Sequence, residues 1–287
     1  MILVTGGSGF VGRSLLRTLR QQGRPVRAYT GRMNDPLQLR KELEGVEVVF
    51  HLASAEARGR ARLLQHVDVE GSERLLEEGQ RAGIAHLVVM SRLRADPHSL
   101  YPLLRAKGKV EQLVRRRDIP YTIVRSATLF GMEDRFLNVI AGLAAWTWPF
   151  VWLPGGGDVV LQPLWLEDLV RCLVGVLERP ELRGETVTVA ADERLRYRDV
   201  VNYVLEAAAL QRRPLKVDLR LVRALAKFTM GLRQYPPVTG FFLDRFSMAD
   251  VAPIDSVLRT FGFRPERMVD HIAYLRRPGL RRRLFLR

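Results

Sequence analysis

Gly6, Gly9 and Gly12 in the run Thr5-Gly6-Gly7-Ser8-Gly9-Phe10-Val11-Gly12 have a spacing that serves chemistry. A β-branched, apolar run, Ile2 to Val4, precedes them, and a helical pattern follows in which Phe10, Leu15, Leu16 and Leu19 recur. At such a junction the first glycine permits a tight turn. The second, lacking a side chain, lets the backbone approach a pyrophosphate, and the third lets helix pack closely on strand. The helix N-terminus then faces the phosphate charge. Gly6, Gly7, Ser8, Gly9, Phe10, Val11 and Gly12 are therefore the expected dinucleotide ligands, the alternative being a loop of the same shape that no longer binds.

Other chemistries find little support. One cysteine, Cys172, excludes an intramolecular disulfide and a cysteine-based metal cluster, and five scattered histidines lack metal-ligand spacing, so no metal site is expected. A reducing, cytoplasmic compartment fits this usage. The opening MILVTGG has no signal-peptide pattern, and no run reaches the ~18 to 20 apolar residues of a membrane span.

The elements that must position the loop follow as βαβ units. Strands are expected at Ile2 to Val4, Pro25 to Thr30, Val46 to Ala53, His86 to Ser91 and Tyr121 to Arg125, and helices up to Gly23, at Pro36 to Leu43, His66 to Ala82 and Leu103 to Arg116. Val46 to Ala53 is almost wholly apolar, as a strand buried on both faces must be. After Ser126 the alternation weakens: a helix at Arg135 to Ala145, a break at Pro154-Gly155-Gly156-Gly157, a helix at Glu167 to Glu178, a strand at Thr186 to Ala190, then mostly helix. The expected architecture is α/β: a parallel Rossmann-type sheet with flanking helices over 1–130, with later segments returning to it. A smaller helix-rich lobe for substrate or partner over 131–275 and a basic tail over 276–287 complete it.

The order of motifs resembles the extended and atypical short-chain dehydrogenases/reductases, an epimerase-like branch of the NAD(P)-binding Rossmann superfamily. TGGSGFVG resembles their TGxxGxxG loop. Val49-Phe50-His51-Leu52-Ala53-Ser54 is similar to the strand whose end contacts the nicotinamide-side ribose, and Val67-Asp68-Val69-Glu70-Gly71-Ser72 to the start of the next central helix. Leu87-Val88-Val89-Met90-Ser91 resembles the strand ending in the active-site serine, Ala106-Lys107-Gly108-Lys109-Val110-Glu111 the lysine-bearing helix, and Tyr121-Thr122-Ile123-Val124-Arg125 the strand before the substrate loop. In the second half, Pro154-Gly155-Gly156-Gly157, Gln162-Pro163, Trp165-Leu166-Glu167-Asp168 and Tyr235-Pro236-Pro237-Val238-Thr239 resemble the subgroup related to the nucleotide-binding accessory subunit of mitochondrial complex I. The resemblance covers essentially the whole chain. It implies Leu52, Ala53, Ser54 and Lys107 as further cofactor ligands, and Lys107 and Ser91 as catalytic residues.

The resemblance breaks where a proton is moved. Active members carry YxxxK, in which the Tyr exchanges the proton and the Lys lowers its pKa and holds the ribose. Four residues before Lys107 stands Leu103, and Tyr101 lies six residues before it. On a helix that displacement turns a side chain by roughly 200°, onto the opposite face. Tyr101 is catalytic only if the segment ahead of the helix bulges or unwinds; otherwise the acid/base is absent.

A second departure is length. About sixteen residues separate Thr30 from Val46, so one strand and one helix of the family pattern are deleted or merged. No acidic residue ends the second strand to meet the ribose 2′-OH of NAD, whereas Arg32, Arg13 and Arg27 offer cations to a 2′-phosphate; NADP is favoured over NAD.

The sixteen residues Val139 to Pro154 carry no charge and hold Trp146, Trp148 and Trp152; they read either as lobe core or as a membrane-interface patch. The Arg276–Arg287 tail reads as a contact to anionic lipid or a partner, or as a solvated end. Forty-six Lys and Arg against 31 Asp and Glu give a net charge of +15, yet only five are Lys, the Arg are dispersed, and no nucleic-acid motif accompanies them. The expected function is an NAD(P)(H)-binding protein supporting or assembling a quinone- or respiratory-type membrane complex, cytoplasmic or peripheral on the inner face of the membrane. The alternatives are an active reductase or isomerase on a hydrophobic quinone-like or isoprenoid small molecule, and a nucleotide-sensing regulator.

Overall fold

A computed structural model of the chain describes residues 1–232, 236–277 and 279–280. Tyr235 and Arg281 to Arg287 of the expected motifs lie outside them. The chain divides into two units, Met1–Glu56 with Arg60–Ser126 and Leu166–Val189, and Ala57–Gly59 with Ala127–Trp165 and Ala190–Arg287. The two are of similar length.

The first unit begins β1 (Ile2–Thr5), α1 (Phe10–Gln21), β2 (Val26–Ala28), α2 (Pro36–Leu43), β3 (Val48–His51). After a single turn, α3 (Ala61–Leu63), the helix widens into a π-helical stretch over Leu64–Glu70 before α4 (Gly71–Ala82). β4 (His86–Arg92), α5 (Pro102–Arg115) and β5 (Tyr121–Ser126) complete the run. Leu15 and Leu19 of α1 are fully buried, each contributing roughly 1.5–3 kcal/mol. Asp35 caps α2 by accepting from the Gln38 N–H at 3.1 Å, and Pro36 and Pro102 occupy first turns, where no N–H is needed. Gly83 at φ +66° ends α4 in the left-handed conformation.

The chain continues through β6 (Leu129–Phe130), α6 (Leu137–Trp146), β7 (Phe150–Pro154), β8 (Val160–Leu161) and β9 (Leu164–Trp165). It returns to the first unit as α7 (Leu166–Val176) and β10 (Thr186–Val189). Ser14 of α1 donates to the Glu167 carboxylate at 2.9 Å, tying that return in place. The resulting sheet has six parallel strands in the order β10-β5-β4-β3-β1-β2. β2 is its edge, and α2 leads directly from it toward β3: the short Thr30 to Val46 interval leaves room for one helix and no further strand. β3 and β4 pair Phe50 with Val88, both fully buried, as their apolar runs require.

The second unit adds β11 (Leu195–Arg196), α8 (Tyr197–Ala207), β12 (Arg213–Val217), α9 (Leu219–Leu232), α10 (Gly240–Asp244) and α11 (Ser256–Phe261). The parallel pairing of β7 with β12 departs from the mostly helical expectation, because Arg213-Pro214-Leu215-Lys216-Val217 carries no strong strand pattern and forms a strand only against β7. The core gathers Phe136, Leu137, Ile140, Val200, Val204 and Phe242. The Arg245 guanidinium lies over the rings of Phe136 and Phe242 at 4.9 and 5.0 Å. Buried Asp134 accepts from the N–H groups of Gly131 and Phe136 and from the Tyr274 hydroxyl at 2.6 Å. Among the described residues no helix is long and apolar enough to cross a membrane, and no group of His, Cys, Asp and Glu is placed to hold a metal.

Candidate functional site

The three glycines meet separate demands. Gly6 sits at φ +70°, and a Cβ there would lie 2.7 Å from the Ala53 nitrogen. At Gly9 a Cβ would come 3.1 Å from the Gly6 carbonyl oxygen, and at Gly12 only 2.3 Å from that same atom. The turn, the open surface and the close packing thus each depend on a missing side chain. α1 starts at Gly9 with no side-chain cap and no acidic residue in its first turn, so its N-terminal N–H groups and the positive end of its dipole suit an anion. Arg13 spans the loop and donates to the Ser8 carbonyl at 2.6 Å.

A chain of hydrogen bonds fixes the strand ends beneath the loop. Ser72 Oγ donates to the Asp68 carbonyl, so it accepts from His51 Nε2 at 2.8 Å; His51 Nδ1 then accepts from Thr5 Oγ1 at 2.8 Å, and Thr5 Oγ1 receives the Ala53 N–H at 3.4 Å. That order requires neutral imidazole. Burial, reinforced by the Lys107 charge, pushes the His51 pKa down to about 3.

Asp68 is the residue that spacing did not single out. It lies in the π-helical stretch, 1% exposed, a carboxylate between Val67 and Val69. Ser54 Oγ donates to its Oδ1 at 2.7 Å, the Ala55 N–H to its Oδ2 at 2.8 Å, and the Lys107 ammonium stands 3.1 Å from Oδ1. The stretch that carries Asp68 is π-helical, a distortion frequent at functional sites. Lys107, 8% exposed, is therefore held by a carboxylate.

Ser91, 1% exposed, donates to Glu111 Oε1 at 2.6 Å. The same buried carboxylate receives Arg125 Nε at 2.8 Å and Nη2 at 2.6 Å, and Arg115 at 3.0 Å. Glu111 and Arg125 were legible only as parts of a helix and a strand, and they join Ser91 in one packed network. Leu103 is buried, one turn before Lys107, while Tyr101 is the N-cap residue of α5 in extended conformation. Gly108 lets α5 approach the post-β4 loop, where a Cβ would fall 2.2 Å from the Pro97 nitrogen. Leu52 and Ala53 are half-buried and Ser54 exposed at the end of β3. Arg32 is exposed, its carbonyl accepting from the Tyr29 hydroxyl at 2.8 Å; Arg27 instead ties α2 through Glu42, whose carboxylate is 3.4 Å away. The glycines, Leu52 to Ser54 and Lys107 thus share one unit, while Ser91 is turned to Glu111.

A family profile described as NAD(P)H-binding matches residues 26–136. The chain is 26% identical over 222 residues to the mouse mitochondrial NADH dehydrogenase [ubiquinone] 1 alpha subcomplex subunit 9, covering 77% of this chain and 58% of that protein. It is 22% identical over 248 residues to the Photosystem II assembly factor Ycf39 of Synechocystis, covering 79% and 74%. The UDP-glucose 4-epimerase structure from Thermotoga maritima superposes with a TM-score of 0.74 at 19% identity over 96% of both chains, a likeness of fold. With the loop, the six-stranded sheet and these matches together, residues 26–136 match an NAD(P)H-binding profile, the chain has the Rossmann-type fold of the epimerases, and it is distantly similar to the complex I subunit and to Ycf39.

Proposed function

We propose that this chain holds an NAD(P)(H) dinucleotide without the superfamily's usual proton relay and supports or assembles a quinone- or respiratory-type membrane complex. One observation carries the reading: where the acid/base Tyr is required stands buried Leu103, and Lys107 is held 3.1 Å from buried Asp68. Gly6 to Gly12 would hold the pyrophosphate, and Leu52, Ala53, Ser54 and Lys107, which has further N–H donors beside the one facing Asp68, would hold the nicotinamide-side ribose. Exposed Arg32 would meet a 2′-phosphate, favouring NADP over NAD. The dinucleotide supplies hydride chemistry when bound; the protein's own groups bind and orient it and offer no proton at the position of Leu103. The names of the mouse and Synechocystis relatives support an attachment to membrane complexes.

The test is removal of the chain from its host, with membrane complexes resolved on native gels. The assembled quinone-reducing complex falls, and is restored by the wild-type chain and by Tyr101→Phe but not by Gly6→Val. Undiminished assembly overturns the reading.

A further inference from the structure

The uncharged run Val139 to Pro154 splits between its two readings. Val139, Ile140, Ala141, Ala144, Val151 and Leu153 are buried in the second unit's core, but Trp146 is 59% exposed, Trp148 71% and Phe150 39%. Such large rings at the surface cost free energy unless something covers them. They are continuous with a second exposed segment, because β7 pairs with β12: Phe150 faces Arg213 and Trp152 faces Leu215, itself exposed, and α9 adds exposed Leu221 and Leu225.

Behind this patch, wholly inside the second unit, lies a cavity of about 270 Å³. Its walls include Ile140, Val151, Val222, Ala226 and Phe242, with Trp146 and Leu225 shared between the cavity and the exposed patch. Its polar contributors are few. The Thr147 hydroxyl is already engaged with the carbonyls of Leu143 and Phe150 at 3.0 and 2.7 Å. The volume exceeds the ~150 Å³ of an apolar protein cavity that stays dry and takes up benzene. A peptide segment entering it would leave its N–H and C=O groups without partners. A hydrocarbon chain has no such groups to satisfy.

Charge selects the source of that chain. Along β12 and α9, Arg212, Arg213, Lys216, Arg220, Arg223 and Lys227 stand against a single acid, Asp218. Arg223 is paired with Asp244 at 2.8 Å, while Arg213, Lys216, Arg220 and Lys227 are exposed. Basic side chains beside Trp are the composition of a face that rests on anionic headgroups. We propose that the second unit docks on an anionic lipid bilayer through Trp146, Trp148, Phe150 and the β12–α9 cations, and that its apolar cavity takes up one hydrocarbon chain of a bilayer lipid. The docking is independent of dinucleotide binding in the first unit.

The experiment uses the full chain and two vesicle compositions, phosphatidylcholine alone and an equal mixture with phosphatidylglycerol. The chain co-sediments with the mixed vesicles and not with the neutral ones. Trp146→Asp with Trp148→Asp, both at exposed positions, lowers the bound fraction about tenfold or more while the urea midpoint holds. Lipid brominated along its acyl chains quenches tryptophan fluorescence on docking. Ala226→Phe, which fills the cavity, removes most of the quenching that remains in a Trp146→Phe, Trp148→Phe background, where Trp152 of the cavity wall reports, and leaves co-sedimentation in place. If Ala226→Phe does not fold, Val222→Phe in the cavity wall serves instead, with the same loss of quenching and co-sedimentation unchanged. Equal binding to both vesicles, binding unaffected by the tryptophan replacements, or quenching unchanged by cavity filling each overturn the proposal. So does capture of the patch by an apolar peptide in preference to lipid.

Discussion

The glycine loop and the first turn of α5 belong to one unit yet differ in how they match the pattern they resemble. At the loop every requirement is kept: Gly6 is at φ +70°, Gly12 leaves no room for a Cβ, and the helix start is uncapped. At α5 the lysine persists, but its partner is Asp68 and one turn earlier there is buried leucine. Holding a dinucleotide and exchanging protons with a substrate are separable because they rest on separate elements. The first is backbone geometry and survives as long as the glycines do. The second is one side chain in register, and a two-residue shift of Tyr101 is enough to remove it.

Breaking the α5 end has the largest effect on stability. Asp68→Ala leaves the Lys107 charge nearly dry and uncompensated, and costs about 3–5 kcal/mol by urea unfolding. Adding Lys107→Met restores much of that loss; no recovery in the double variant would show that the carboxylate acts through Ser54 and Ala55 alone. Gly12→Ala tests the loop end. Its Cβ would meet the Gly6 carbonyl at 2.3 Å, so it costs about 1–3 kcal/mol and abolishes dinucleotide binding in calorimetric titration. Gly23→Ala is the control: at φ +69° with nothing within 4 Å, it costs about 1 kcal/mol and leaves binding intact.

Between the two ends, His51 makes the unit acid-sensitive. Its pKa falls from 6.5 in the unfolded chain to about 3 in the folded one, so the unfolded state binds the proton first as pH drops. Stability is full above pH 6.5 and declines through the window down to about 3, by up to about 1.4 kcal/mol per pH unit for this one imidazole. His86, pushed down to about 4 by burial, adds to the same slope. His51→Gln flattens the stability profile by one proton; an unchanged slope would mean that His51 titrates normally. The smallest effect concerns the adenine side: Arg32→Ala weakens NADPH about three- to tenfold and NADH by less than about twofold. Equal losses would show that Arg32 does not read the 2′-phosphate.

Much of this unit was legible in the sequence because backbone-determined features leave strong local signals. The βαβ alternation and the parallel sheet follow from residue type and distance along the chain. Asp68 and Glu111 do not, for a common reason. Each carboxylate is buried by partners distant in sequence, Lys107 and Ser54 for one and Arg125 and Ser91 for the other. The π-helical widening has no periodic signature of its own, since buried Leu64 and Asp68 stand four residues apart, as on one face of an ordinary helix. In the second unit β12 escaped notice because its five residues depend on β7 for their conformation.

The central claim is that the bound dinucleotide has no proton donor beside it. The most direct measurement is nicotinamide absorbance after mixing the NADPH-loaded chain with a short-chain quinone and, separately, with a panel of aldehydes and ketones. The account predicts binding without oxidation above the rate of NADPH in buffer, unchanged in Tyr101→Phe. Turnover that Tyr101→Phe abolishes would contradict it, by showing that the chain unwinds ahead of α5 to bring that phenol into the site.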